Sequence, residues 1–585
     1  MSNKSFTGRA WNFLKCDDLF LRDVKTRLNL PDLVARIFLN RSFNDIEEIE
    51  AFLNAKLKNT IPDPSLLLDM DKGVARLVEA INKNQKIMIL GDYDVDGITS
   101  TYLMVKYLSK IGVESTHYIP SRFSDGYGLG ENAINIAIEN KIDLLIVVDS
   151  GINSTDAVEM ANNAGIDVII IDHHLQSSEQ IPRAVAVIDP SRTDQCEIGY
   201  SGIKYLCAAG VVYLFLIALQ RSLKDARLFE RVEKPDLLEF SGVVAIGTLC
   251  DVMELKGINR AIIKYALENA RYPIGILSLM SEFNLEKISS IDDFAFFIGP
   301  AINAAGRVDD PHVALNLLLE ERPEYSQKIA AKLIEMNKKR RALEKQSLSE
   351  ALCMIAEKDL VSGKGICVFG NNWHDGVIGI IAGKLKEKFG KPTFVISFND
   401  DGIGKGSARS VPGLHLGEFF KKLRKADLII SGGGHAFAGG FSISNTKIQD
   451  FCEFVKTSFE GEFDNSINID CSFSPLSDIS QIAIDLQKLE PFGRGFERPI
   501  VCVERARIRS IKQTNSGDHL MIFLSGELGE GSVKTILFHS KSKKDVVTAI
   551  EENKDSLLDV VGRLSYHEQY GASLIIDDLR LTTSP

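Results

Sequence analysis

The sequence predicts an α/β protein: a parallel-sheet domain, a long connecting helix, a second α/β domain and a C-terminal β-barrel. Three observations carry this. Short apolar runs at 86–90 (KIMIL), 144–148 (LLIVV) and 168–171 (VIII) alternate with helical stretches near 98–111 and 157–164. That alternation suggests a parallel sheet with helices on both faces. A polar stretch rich in Lys, Glu and Ala runs from 324 to about 357. After about 467 the pattern turns to short alternating strands, consistent with a small barrel.

Taken in order, residues 1 to about 60 read as helical and connective, and the first α/β pattern follows. The stretch from 324 holds Lys338-Lys339-Arg340-Arg341 and reads as a connector between domains. A second α/β segment, about 365–459, has strands near 366–369, 393–396 and 428–430. It is dense in glycine: Gly402, Gly404, Gly406, Gly432, Gly433, Gly434, Gly439 and Gly440.

Composition narrows the function. With 585 residues, of which 45% are hydrophobic, the chain can fill more than one core. No apolar run approaches the roughly 18 residues of a membrane span, and 208–219 fits a buried helix. The first fifteen residues lack the basic-then-apolar layout of a secretory leader. Nine scattered cysteines form no Cys-x-x-Cys pair, which argues against structural zinc and a disulfide framework. A cytoplasmic protein with reduced thiols is the expectation. The net charge of -11 does not attract nucleic acid, so any DNA contact needs locally concentrated basic residues.

The chemistry lies where strands meet helices. In Gly91-Asp92-Tyr93-Asp94-Val95-Asp96-Gly97 the three aspartates alternate, so an extended backbone points them one way. Carboxylates packed so closely take up protons unless a cation compensates. Oxygen ligands suit magnesium or manganese. A calcium-hand loop needs a glutamate six residues after its glycine, and this chain has Leu103 there. Asp149-Ser150-Gly151 follows the second apolar run, and Asp172-His173-His174 follows the third. Ligands of open parallel sheets bind outside the carboxyl ends of the strands, so these motifs should share one crevice. Asp251 is a further candidate ligand. So many donors exceed one ion's needs. Two divalent ions roughly 3.5–4 Å apart, bridged by a carboxylate, would use them, which points to phosphoester hydrolysis rather than redox chemistry.

Asp94-Val95-Asp96-Gly97, Asp149 and Asp172-His173-His174 resemble the signature motifs of the DHH phosphoesterases. Further segments are similar to the branch of that family specific for single-stranded DNA. They are Pro120-Ser121-Arg122-Phe123, Gly247-Thr248 with Asp251, Asn303-Ala304-Ala305-Gly306-Arg307, Trp373-His374-Asp375-Gly376-Val377-Ile378-Gly379, Gly406-Ser407-Ala408-Arg409-Ser410 and Gly432-Gly433-Gly434-His435-Ala436. The resemblance implies an N-terminal helical segment (1–60), a DHH catalytic domain (61–285), a helical connector (286–357), a DHH-associated substrate-binding domain (358–460) and a nucleic-acid-binding OB-fold (461–585). It implies 5′-to-3′ degradation of single-stranded DNA to mononucleotides in recombination and repair, with two Mn2+ or Mg2+ ions. Single-strand-binding protein and a helicase are the expected protein partners. A DHH phosphodiesterase of short oligonucleotides or cyclic dinucleotides is the alternative. Relatives often have arginine where this chain has Ala301, and asparagine where it has Ser150.

On this reading Asp92, Asp94, Asp96, Asp149, Asp172, His173, His174 and Asp251 hold the metals, with Asp149 the candidate bridge. Asp149, Asp172, His173 and His174 are the catalytic set. Ser407, Arg409 and His435, with Arg122 and Arg307, are expected to bind the terminal phosphate of the strand, and His374 is a further substrate-binding candidate. Arg505, Arg507 and Arg509 lie on one face of a strand if its alternation is regular, a basic stripe suited to a single-stranded backbone.

Overall fold

The computed structural model describes the chain except residues 1–4, 124, 126–127, 178–179, 196–201, 460–463, 515–516, 568–570 and 583–585. The chain forms two compact units. One comprises Met1–Ala55, Glu254–Lys256 and Asn465–Pro585; the other comprises Lys56–Met253 and Gly257–Asp464.

The larger unit holds both α/β layers. Its first sheet contains Ile87–Leu90 (β1), Ser115–Tyr118 (β2), Leu144–Val148 (β3), Asp167–Ile171 (β4) and Ala186–Ile188 (β5), all parallel, in the order β2-β1-β3-β4-β5. Alternate residues Met88, Leu90, Leu145, Val147, Val168 and Ile170 face a core with Ile134 and Val158, while Ile89, Ile146 and Ile169 are also fully buried. Burial on both faces explains why these strands read as unbroken apolar runs. Helix α1 (Val95–Lys110) follows β1, and Thr155–Asn163 (α2) separates β3 from β4. Ala208–Asp225 (α3) and Ser241–Cys250 (α4) pack against α1 and against each other.

Pro323–Glu357 (α6) is a 35-residue helix, about 52 Å long at 1.5 Å per residue. Ser326, Ala330, Leu333, Asn337, Arg340, Glu344, Ser347 and Ala351 form its buried stripe at alternating three- and four-residue steps. It packs on Gly299–Val308 (α5) and on Asp375–Phe389 (α7). Several stripe residues are polar, so a helix that reads as an exposed connector is in fact packed along its length. Arg340 of the basic run is buried, bonded to Glu344 (2.7 Å) and Asn337 (3.0 Å).

The second sheet has the order β9-β10-β8-β7-β6, from Ile366–Asn371 (β6), Thr393–Phe398 (β7), Ile403–Arg409 (β8), Ser431–Gly434 (β9) and Ala438–Ser444 (β10). Only β6 and β7 pair in parallel. The expected strand at 428–430 is not one; pairing begins at Ser431. Most of the dense glycines sit inside strands rather than in loops. Gly406 shows why: a Cβ there would lie 2.2 Å from the Phe441 ring. Helix Ile448–Thr457 (α8) covers one face of this sheet, with Leu416–Lys425.

In the smaller unit, Val501–Gln513 (β11), Leu520–Ser525 (β12), Val533–Leu537 (β13), Leu558–His567 (β14) and Gly571–Leu581 (β15) pair in the order β11-β12-β13-β15-β14. A β11–β14 pairing closes the barrel. Trp11–Phe13 pairs with Ile467–Ile469. Phe38, Phe43 and Phe52 of the N-terminal segment join Phe496, Val501, Ile522 and Leu574 in one core. The first 55 residues, which read as connective, are therefore part of the barrel's own hydrophobic core.

β11 departs from regular alternation. Register shifts fall between Val503 and Ala506 and between Ile508 and Ser510, and Arg505 has φ 53°. The one-face stripe expected of Arg505, Arg507 and Arg509 therefore does not follow from alternation here. Arg505 bonds Glu527 (2.8 Å), and Arg507 donates to the carbonyls of Glu527 and Asp555. Arg509 is exposed.

Candidate metal centre and anion cleft

The carboxyl ends of β1, β3 and β4 deliver the acidic motifs side by side. Asp94 caps α1, its Oδ1 accepting the N–H groups of Asp96 (2.9 Å) and Gly97 (3.1 Å). A Cβ on Gly97 would lie 2.5 Å from the Asp92 backbone, so this loop needs glycine. Asp96, in the first turn of α1, accepts from Ala208 (2.6 Å) and Ala209 (3.0 Å) at the start of α3. Asp149 follows β3 directly, in a left-handed conformation at φ 61°. Asp251 caps the end of α4.

Three groups of donors come within 4.8 Å of one another: Asp92, Asp94 and Asp149; Asp149, His173 and His174; and Asp96, His173 and Asp251. Asp149 and His173 each belong to two groups. His173 Nε2 lies 3.3 Å from Asp149 Oδ1 and 3.6 Å from both Asp96 Oδ2 and Asp251 Oδ2. The two imidazoles converge from the loop after β4, their centroids 4.5 Å apart.

Asp172 stands apart from these groups. Its Oδ1 meets His174 Nδ1 (2.7 Å) and accepts the His173 N–H (2.7 Å), and its Oδ2 accepts the Ile152 N–H (3.0 Å). It orients the imidazoles, as partners behind metal-binding histidines do. Asp172 thus lies behind the two imidazoles, hydrogen-bonded to both histidines.

Burial pushes Asp92 and Asp149 well above the ordinary carboxylate range, reinforced by neighbouring aspartates. Burial also raises Asp96 to about 6. Burial and the charge of His174 depress His173 to about 4. His174 is raised to about 9: burial opposes its charge, but the Asp172 carboxylate prevails. Asp92 Oδ1 and Asp149 Oδ1 are buried and accept no hydrogen bond among the described residues. A divalent cation would satisfy those oxygens and reverse the repulsion. The donor set fits such an ion, with oxygen ligands predominating and two imidazoles.

Cations from both α/β layers face the same region. The Arg122 guanidinium lies 4.3 Å above the Tyr93 ring. Arg307, near the end of α5, donates to the Gly376 carbonyl (3.2 Å) at the start of α7. A Cβ on Gly376 would lie 1.9 Å from the Arg307 carbonyl oxygen, so glycine permits this approach. Ser407 and Arg409 share one face of β8, with the Arg409 guanidinium 3.2 Å from Ser407 Oγ. Burial, then the charge of Arg122, depresses both Arg307, to about 10, and Arg409. Among the described residues none of these three arginines forms an ion pair. Clustered, partly buried guanidiniums without carboxylates suit a bound anion. His374 caps α7, its ring 5.6 Å from that of Phe123. His435 lies between β9 and β10, depressed by burial and by the nearby charge of His174.

Sequence reasoning missed Asp189. It follows β5, is fully buried, and is raised to about 8 by burial and by Asp172. Its carboxylate accepts the N–H of Ser191 (2.6 Å), whose hydroxyl donates to the His173 carbonyl (2.9 Å). The available signal was the one used elsewhere, an aspartate directly after an apolar run.

A carboxylate and imidazole crevice at the end of a parallel sheet, with a cationic second domain, defines a metal-dependent phosphoesterase of the DHH type. Residues 86–248 match the DHH family N-terminal domain, 362–461 the DHHA1 domain and 469–576 the RecJ OB domain. The chain belongs to the RecJ family of single-stranded-DNA-specific exonucleases. It is 32% identical over 547 residues to RecJ of Dickeya dadantii (strain 3937) and 31% identical to that of Escherichia coli (strain K12). Each alignment covers 89% of this chain and 92% of the relative. The crystal structure of Thermus thermophilus RecJ in complex with Mn2+ superposes with a TM-score of 0.79 at 25% identity, covering 98% of this chain and 80% of that one.

Proposed function

We propose that this chain is a metal-dependent exodeoxyribonuclease that degrades single-stranded DNA from its 5′ end to mononucleotides, in the cytoplasm, during recombination and repair. The observation that carries this reading is the set of three donor groups sharing Asp149 and His173. Sharing of that kind suits two ions held by one continuous set of donors. Asp92, Asp94, Asp96, Asp149, His173, His174 and Asp251 would hold two Mn2+ or Mg2+ ions. When bound, such ions acidify water and neutralise charge developing at phosphorus. Asp172 keeps the imidazoles in register. Arg409 and Ser407, with Arg122, Arg307, His374 and His435, bind the 5′-terminal phosphate and so place the next phosphodiester at the carboxylates. The separation of the two groups sets the product at one nucleotide. In the barrel, the exposed Arg509 is the arginine of β11 best placed for a DNA backbone, because Arg505 and Arg507 already hold intramolecular partners. Single-strand-binding protein and a helicase are the partners that would supply such a strand.

The test is manganese-dependent digestion of matched strands: single or double, labelled at either end, with and without a 5′ phosphate. Mononucleotides released from the 5′ end of single strands alone establish activity and direction. Hydrolysis confined to di- or trinucleotides would instead assign the chain to the short-substrate DHH phosphodiesterases.

A further inference from the structure

Two of the nine cysteines meet in the second α/β domain. Cys367 lies on β6, whose residues alternate between two cores: Ile366 and Val368 enter one, Cys367 the other. Helix α8 turns Ile448, Phe451 and Val455 toward the same core as Cys367. Cys452 sits at the edge of that stripe, half-buried. The two sulfurs are 2.9 Å apart and joined by a thiol hydrogen bond, within about 1 Å of bonded distance. Neither sulfur belongs to a metal-ligating group among the described residues.

We propose that Cys367 and Cys452 are a modification site, a dithiol that closes into a reversible intradomain disulfide on exchange with a small-molecule disulfide. The two thiols have unequal roles. Cys452 is the accessible one, and the hydrogen bond it shares with Cys367, aided by the positive charge of Lys358, holds it below the ordinary thiol range. Cys367 is buried and raised, the place of a resolving thiol rather than of the first to react. In the first step the Cys452 thiolate attacks one sulfur of the oxidant, forming a mixed disulfide and expelling one thiolate, which takes up a proton. In the second, Cys367 gives up its proton and bonds the Cys452 sulfur, expelling the second thiolate. Two protein thiols are oxidised and one disulfide is reduced to two thiols.

The bond would tie the first strand of this domain to its last helix, closing a loop of about 85 residues. It leaves the anion cleft untouched: Ala408 enters the core that holds Cys367, whereas Ser407 and Arg409 point to the opposite face of β8.

The experiment uses the full chain, oxidised glutathione as the probe, and peptide mapping after free thiols are alkylated. The expected product is a dithiothreitol-sensitive peptide pair joining Cys367 to Cys452. The melting transition of this domain should rise by about 5 °C, and Cys452→Ser should show neither effect. Alkylation of both thiols, or a glutathione adduct that persists on Cys452 as on the exposed Cys353, would overturn the proposal. The wild-type map decides this even if Cys452→Ser folds poorly.

Discussion

Asp149 combines a left-handed backbone, full burial and membership of two donor groups. A non-glycine residue in that conformation is uncommon, and such strain concentrates at functional sites. Asp149→Asn keeps the shape and removes the charge. Turnover with manganese should fall by at least about 100-fold, while circular dichroism remains that of the parent chain. Arg409→Ala should act differently, raising KM for 5′-phosphorylated strands by about tenfold or more and leaving hydroxyl-ended strands little changed. Steady-state assays on the two substrates separate these outcomes. The motifs that hold Asp92, Asp149 and Asp172 with the paired histidine were legible because each begins just after an apolar run, which places it at a strand's carboxyl end. The division of labour among them was not. Asp172 and Asp149 occupy equivalent positions in the sequence, and only hydrogen bonding distinguishes them.

Among the elements, α6 was legible as a helix but not as a packed one. Its stripe uses Ser, Asn, Arg and Glu, which a hydrophobicity pattern cannot register. The Arg340–Glu344 pair is about nine-tenths buried at 2.7 Å. Glu344→Ala leaves that guanidinium uncompensated and should destabilise the fold by about 3 kcal/mol, measurable by urea titration. The glycine-dense strands of the second sheet were not legible as strands for a related reason. Phe441, more than thirty residues from Gly406 in sequence, decides that no side chain fits there. The irregularities of β11 left no trace either. Arg509→Ala should weaken single-strand binding and reduce the slope of log affinity against log salt by about 0.7. Arg505→Ala should change the slope less, since its guanidinium is held by Glu527.

At the scale of the molecule, the metal centre and the anion cleft belong to the larger unit. Ion binding should therefore stabilise that unit selectively. Manganese at about one hundred times its dissociation constant should add about 2.7 kcal/mol to its unfolding free energy. Calorimetry with and without a chelator checks this, and an unchanged transition would refute the assigned ligands. The parallel sheet and the barrel were legible from periodicity. The association of the two chain ends was not, because Trp11–Phe13 finds its strand partner some 450 residues away.

That pairing has a consequence for biosynthesis. Residues 1–55 are synthesised well before the strands that complete their core, which begin only at about 465. At about 5–20 residues per second, translation of the intervening 410 residues takes about 20–80 seconds. During that time Phe38, Phe43 and Phe52 have no barrel to enter. The larger unit is synthesised in that interval, so residues 1–55 meet the strands of their core only after it. A premature stop before the barrel would leave that aromatic cluster without its core at the opposite end of the chain.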